Sequence, residues 1–237
     1  MVNIIYKDAD IVVCIKPSGA ISTDEPGGMP DLIRTAIDDS TAEVHTVHRL
    51  DRVVSGVMVY ALNKKAASKL GQDVAERNFE KEYLAVIHGC PEEQKGRFDD
   101  LLFRDKSENK TYVVKRMRKG VRDAALQYEV LDSKNDLSLV KVHLLTGRTH
   151  QIRVQFSSRQ MPLVGDKKYG AASDKCQIAL WSYTLQFNHP VTNEKMCFVE
   201  LPPDKEPWLF FNGYCTVREE NETELPERRE FRENQNQ

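Results

Sequence analysis

The sequence predicts an α+β domain: a mixed, largely antiparallel central sheet with flanking helices. Three observations lead there. Apolar runs of strand length recur from residue 3 to residue 201, the segments of helical spacing among them are few and short, and no internal repeat is present.

Two short strands open the chain, NIIY and DIVVCI, the second stopped at Lys16-Pro17-Ser18-Gly19, where Pro and Gly impose a turn. A loop holding Pro26, Gly27 and Gly28 leads into residues 31–38, where Leu32, Ile33 and Ile37 have helical spacing behind Pro30 and Asp31. GVMVYAL (56–62) reads as a strand buried on both faces. Asn63 is placed to cap a helix to about Arg77, with Ala66, Ala67, Leu70 and Val74 as its apolar stripe. EYLAVIHG (82–89) is the next strand, and from Pro91 the residues read as polar loop as far as a basic run at 110–122. Alternation returns in AALQYEVL (124–131) and LSLVKVHLL (137–145), an antiparallel pair joined at DSKND. TGRTHQIRVQFSSRQ (146–160) reads as a turn and a helix with Ile152 and Phe156 inward. Residues 177–187 and 196–201 supply two more strands around the turn NHPVTNE. Apolar residues stop near Gly213, so a single domain is expected over 1–212, followed by an acidic, disordered tail at 213–237.

Composition narrows the function classes. With 40% hydrophobic residues the chain of 237 can bury a real core, and no run approaches the ~18 apolar residues of a membrane span. The N-terminus MVNIIYKDAD lacks the order of a secretory signal, so a cytoplasmic protein with no membrane partner is expected, and it is separately expected to be a monomer. Five scattered cysteines, Cys14, Cys90, Cys176, Cys197 and Cys215, never stand at CxxC spacing and are read as reduced thiols, mostly core filler. His45 and His48 have HxxH spacing, but no acidic or cysteine ligand accompanies them, and no metal is expected. Net charge is -2, yet Lys110, Lys115, Arg116, Arg118, Lys119 and Arg122 follow one another with no acid among them. Lys115, Arg116 and Arg118 are therefore expected on a hairpin able to contact phosphates.

HRLDRVVSG (48–56) sets Asp51 between Arg49 and Arg52, just ahead of a buried strand. A carboxylate there is costly unless it is paired or used. Taken together, HRLDRVVSG, KEYLAVIHG (81–89), TGRTHQIRVQF (146–156) and PLVGDKKYG (162–170), flanked by DIVVCIKPSG and FNHPVTNE, closely resemble the RluA-type family of RNA pseudouridine synthases. The resemblance spans roughly residues 3–210.

It implies isomerisation of a uridine in structured RNA, ribosomal or transfer, to pseudouridine without cofactor or metal. The family's catalytic aspartate falls on Asp51, its aromatic partner on Tyr83, and the arginine that pairs with the aspartate on Arg153. The arginine that fills the space left by the flipped base falls on Arg49, while His48, Arg52, Arg148 and His150 are expected RNA contacts or structural props. Arg153 would keep Asp51 ionised, and Tyr83 would stack on the base. One departure stands out: Val54 occupies the place where the family usually has Thr before Ser-Gly. Many relatives carry an N-terminal S4-type domain, whereas this sequence is read as starting directly at the catalytic region, and recognition is expected to rest on that region. Two other readings are an inactive RNA-binding protein, which would not need Asp51, Tyr83 and Arg153 together, and a hydrolase, which would want two opposed carboxylates.

Overall fold

The structure, a computed structural model, describes residues 2–170 and 174–211; the expected tail at 213–237 lies outside them. In chain order the elements are β1 (Asn3–Lys7), β2 (Ile11–Lys16), α1 (Met29–Ala36), β3 (His45–Thr46), β4 (Ser55–Ala61), α2 (Lys64–Ala75), β5 (Glu80–His88), β6 (Lys95–Asp105), β7 (Lys110–Val114), β8 (Val121–Lys134), β9 (Leu137–Leu144), α3 (Gln151–Ser157), β10 (Leu180–Asn188) and β11 (Lys195–Val199). One sheet runs in the order β1-β2-β4-β10-β5-β9-β8-β6-β7, with β11 added on β10 and β3 on β4. Its one parallel pairing joins β4 to β10; every other named pairing is antiparallel. The α+β architecture follows from these pairings.

The local reasons are legible. Asn63 caps α2 as expected, its side-chain oxygen accepting the Ala66 amide at 2.9 Å. Alternation along β4 and β5 sends Met58, Tyr60, Tyr83, Ala85 and Ile87 to one face, where Met29 and Ile33 of α1 and Ile152 and Phe156 of α3 cover them. Val57, Val59 and Phe187 face the other way, onto Ala66 and Leu70 of α2. Trp208 and Phe211 pack on that second face over Leu84 and Val86. At Gly56, with φ of +121°, an added Cβ would lie 2.3 Å from the Ser182 carbonyl oxygen, so only glycine lets β4 approach β10 there.

Two expectations are corrected. The stretch after Pro91 is not loop but β6 and then β7. Only Phe98 and Leu102 of β6 are buried, and charged residues share its other positions, which hides the strand. The basic run is not a hairpin either, because β7 and β8 lie on opposite edges of β6 and residues 115–120 cross between them. Arg118 lies over the Phe103 ring, 4.8 Å from its centroid. Cys14, Cys90, Cys176 and Cys197 are free thiols, but only Cys14 is buried, so core filling accounts for one of these four. Among the described residues no helix is long and apolar enough to cross a membrane.

Candidate active site

A broad cleft of about 2080 Å³ opens on the sheet face that carries α1 and α3, and Asp51, Tyr83 and Arg153 all line it. Eleven Lys and Arg against seven Asp and Glu line the same cleft, an excess of cations in a chain whose net charge is -2. This is the surface a polyanion would meet.

Asp51 stands in the loop between β3 and β4, partly open to solvent with its side chain 22% exposed. Its Oδ2 accepts from the Arg153 guanidinium at 3.0 Å. His150 Nε2 lies 3.8 Å from the same oxygen, whereas no donor among the described residues bonds to Oδ1. Arg153 projects from α3 into the protein, 6% exposed, and is held from behind by Asp166: its Nε and its second terminal nitrogen each donate at 2.7 Å to one carboxylate oxygen. Burial alone would raise the Asp166 carboxyl, but the Arg153 bonds and charge, with the amides of Lys168 and Tyr169, hold it below its ordinary range. The Arg153 guanidinium also lies 5.2 Å from the Tyr169 ring centroid.

Tyr83 is buried in β5, opposite Ser182 of β10 and Val142 of β9. Burial, helped by the negative charge of Asp51, pushes its phenol well above the usual value, so it remains protonated.

The loop that presents Asp51 is fixed from below by Lys16. The Lys16 side chain is fully buried, and its Nζ donates to the carbonyls of Pro17, Arg52 and Val54 at 3.0, 3.1 and 2.7 Å. Burial, with Arg52 adding to it and Asp51 opposing it, lowers its pKa to about 8. Val54 is itself buried, and its amide closes a turn onto the Asp51 carbonyl at 3.0 Å, so the turn forms without a hydroxyl at this position.

The other expected residues separate. Arg49, Arg52 and Arg148 are exposed in the cleft wall; Arg52 and Arg148 are steadied by bonds to the carbonyls of Gly19 and Asp123, both at 2.9 Å. His150 closes the site beside Asp51. His48 points inward instead: it is 6% exposed, its Nε2 accepts the Val59 amide at 3.2 Å, and its ring packs on Phe79. Burial drives its pKa well below 6.5, so of the two roles expected for it the prop fits this position. Lys115, Arg116 and Arg118 are exposed on the crossing loop and do not line the cleft.

The family model for RNA pseudouridylate synthase matches residues 10–158. The chain belongs to this family. It is 34% identical to an uncharacterized RNA pseudouridine synthase of Aquifex aeolicus (strain VF5), over 92% of this chain and 73% of that one. It is 33% identical to the dual-specificity RNA pseudouridine synthase RluA of Pasteurella multocida (strain Pm70), over 85% and 93%. The solved structure of human RNA Pseudouridylate Synthase Domain Containing 1 superposes with a TM-score of 0.72 at 25% identity, covering 86% of this chain and 84% of that one. The protein is thus an RNA-acting isomerase of the RluA type.

In this synthase Lys16 and Asp166 are the positioning residues that sequence reasoning missed. Both sit inside quoted motifs, KPSG and VGDKKYG. The signal was a charged residue at the end of an apolar run, which reads equally well as an ordinary turn.

Proposed function

We propose that this synthase converts specific uridines of ribosomal or transfer RNA stem-loops to pseudouridine, with Asp51 as the reacting carboxylate and residues 1–212 as the catalytic domain. The observation that carries the reading is the Asp51–Arg153 bond of 3.0 Å in a cation-rich cleft, with Oδ2 held and Oδ1 open. A base inside an RNA stem or loop hides C1′, so the nucleotide leaves the stack at a cost of a few kcal/mol. Exposed Arg49 at the rim is suited to fill the gap it leaves.

Within the cleft the N1–C1′ bond breaks, the base turns, and a C5–C1′ bond forms. The C5 proton is lost and N1 gains one, so the reaction balances as an isomerisation. Asp51 serves either by attacking C1′ or by taking the C2′ proton to give a glycal. Tyr83, protonated and buried beside this point, offers a ring to stack on uracil. Arg52, Arg148 and their cleft neighbours position the phosphates.

The test is incubation of the protein with RNA transcripts tritiated at uridine C5, together with pseudouridine mapping in cells with and without the gene. Tritium release and gene-dependent pseudouridines are expected. Release of free uracil would make the protein a hydrolase, and RNA binding without tritium release would make it an inactive binding protein.

A further inference from the structure

His150 has an unusual backbone for its residue type. It is the residue before α3, with φ of 57° and ψ of 21°, in the left-handed region, and its side chain makes no cap. Such a conformation is costly for a residue with a side chain and persists where the surroundings require it. Here it turns the ring into the site: Nδ1 lies 2.8 Å from the Tyr169 hydroxyl and Nε2 lies 3.8 Å from Asp51 Oδ2.

The partners point to one tautomer. The Tyr169 oxygen accepts the Thr111 amide of β7 at 2.7 Å and has its own proton to give, and His150 Nδ1, 2.8 Å away, is placed to accept it. With Nδ1 accepting, a neutral ring carries its proton on Nε2, facing the carboxylate. The opposite tautomer would aim a bare nitrogen lone pair at Asp51. The charges around the ring are Asp51 from the loop, Arg153 from α3, Lys168 beyond it and Arg104 from β6. Burial and the three cations outweigh Asp51 and keep the imidazole below its ordinary pKa, so it is neutral at pH 7.

We propose that Thr111, Tyr169 and His150 form a hydrogen-bond relay that locks His150 as an Nε2–H donor to Asp51 Oδ2, making it a further positioning residue that, like Arg153, addresses Asp51 directly. Both donors address Oδ2, which leaves Oδ1 as the oxygen that meets the ribose. The 3.8 Å gap closes when substrate fills the cleft, as active-site hydrogen bonds commonly tighten on binding. This inference rests on Asp51 being the reacting group.

The first test needs no RNA. In protein labelled with nitrogen-15 histidine, long-range proton–nitrogen spectra at pH 7.5 should show one ring protonated at Nε2 alone, identified by its loss in His150→Gln. Tyr169→Phe should turn that ring into a tautomer mixture. A His150 that is charged, or protonated at Nδ1, in the wild-type protein overturns the proposal.

The second test is kinetic, on the tritiated transcripts. Tyr169→Phe should lower kcat about tenfold, the kinetic equivalent of one hydrogen bond, with KM little changed. His150→Gln, which keeps a donor, should retain much more activity than His150→Leu. Should Tyr169→Phe fail to fold, the His150 pair decides alone. Wild-type kcat in His150→Leu and Tyr169→Phe, with Asp51→Asn inactive, sinks the relay only; an active Asp51→Asn sinks the parent reading.

Discussion

Arg153 is tied more tightly to Asp166 than to Asp51: two bonds of 2.7 Å to a carboxylate with no exposed side-chain surface, against one of 3.0 Å to a carboxylate 22% exposed. The guanidinium is thus anchored before it reaches the reacting group. This asymmetry separates stability from activity.

Asp166→Ala should cost about 3–5 kcal/mol of stability, since it leaves a buried cation with one weak partner. Asp51→Ala should cost far less. In double-mutant cycles by chemical denaturation, the coupling of Arg153 to Asp166 should exceed its coupling to Asp51. The Asp166 pKa is lowered in the folded state, so its contribution is fully present above pH 4 or so and is lost as pH falls below 3.8 toward the native value. Acid unfolding of the wild-type protein should therefore be steeper than that of Asp166→Asn.

Asp51→Asn should abolish tritium release while circular dichroism and RNA affinity stay nearly unchanged. One carboxylate performs the bond-breaking step and adds little binding. Turnover above a small fraction of wild type would remove Asp51 from the chemistry.

Lys16→Met should lower both stability and kcat, because three carbonyls lose their common donor. A pH signature distinguishes this lysine from inert filler. Its native pKa of about 8 lies below the 10.5 of a free lysine, so between these values the unfolded chain binds the extra proton. Stability of the wild type relative to Lys16→Met should rise with pH from about 8 toward 10.5, and a flat difference across that window would contradict the buried charge.

Salt dependence locates the RNA. Each phosphate contact contributes about -0.7 to -0.9 to the slope of log K against log[salt]. Changing Arg49, Arg104 and Arg148 of the cleft to Gln should flatten the slope by about two units, and the same change at Lys115, Arg116 and Arg118 by no more than about one. A larger effect from the second triple would mean that the RNA runs over the crossing loop.

How far the sequence carries can be judged from particular residues. The Asn63 cap, the buried runs of β4 and β5, and the meeting of Asp51 with Arg153 were all legible, the first two from local pattern and the third from motif resemblance. β6 was not, because a half-exposed strand with Arg97, Asp99 and Arg104 exposed and Asp100 set between Phe98 and Leu102 has the composition of a loop. His48 was ambiguous for a related reason: the stretch before β4 has no regular period, and only the tertiary fold shows that its ring packs against Phe79. The carbonyls that Lys16 gathers from Arg52 and Val54 lie 36 and 38 residues away, a relation no local pattern contains.

Ser182 stands level with Gly56 on one side and with Tyr83 on the other. Three backbones therefore lie abreast at this height, and neighbouring strands are ~4.8 Å apart. The span from the exit of the Asp51 loop to Tyr83 is thus metered by main-chain pairing, at roughly two strand spacings. A gauge made of peptide groups does not depend on which side chains surround it. The core can drift in sequence while the aspartate and the aromatic ring keep their separation, provided that position 56 stays bare enough for β10 to lie alongside.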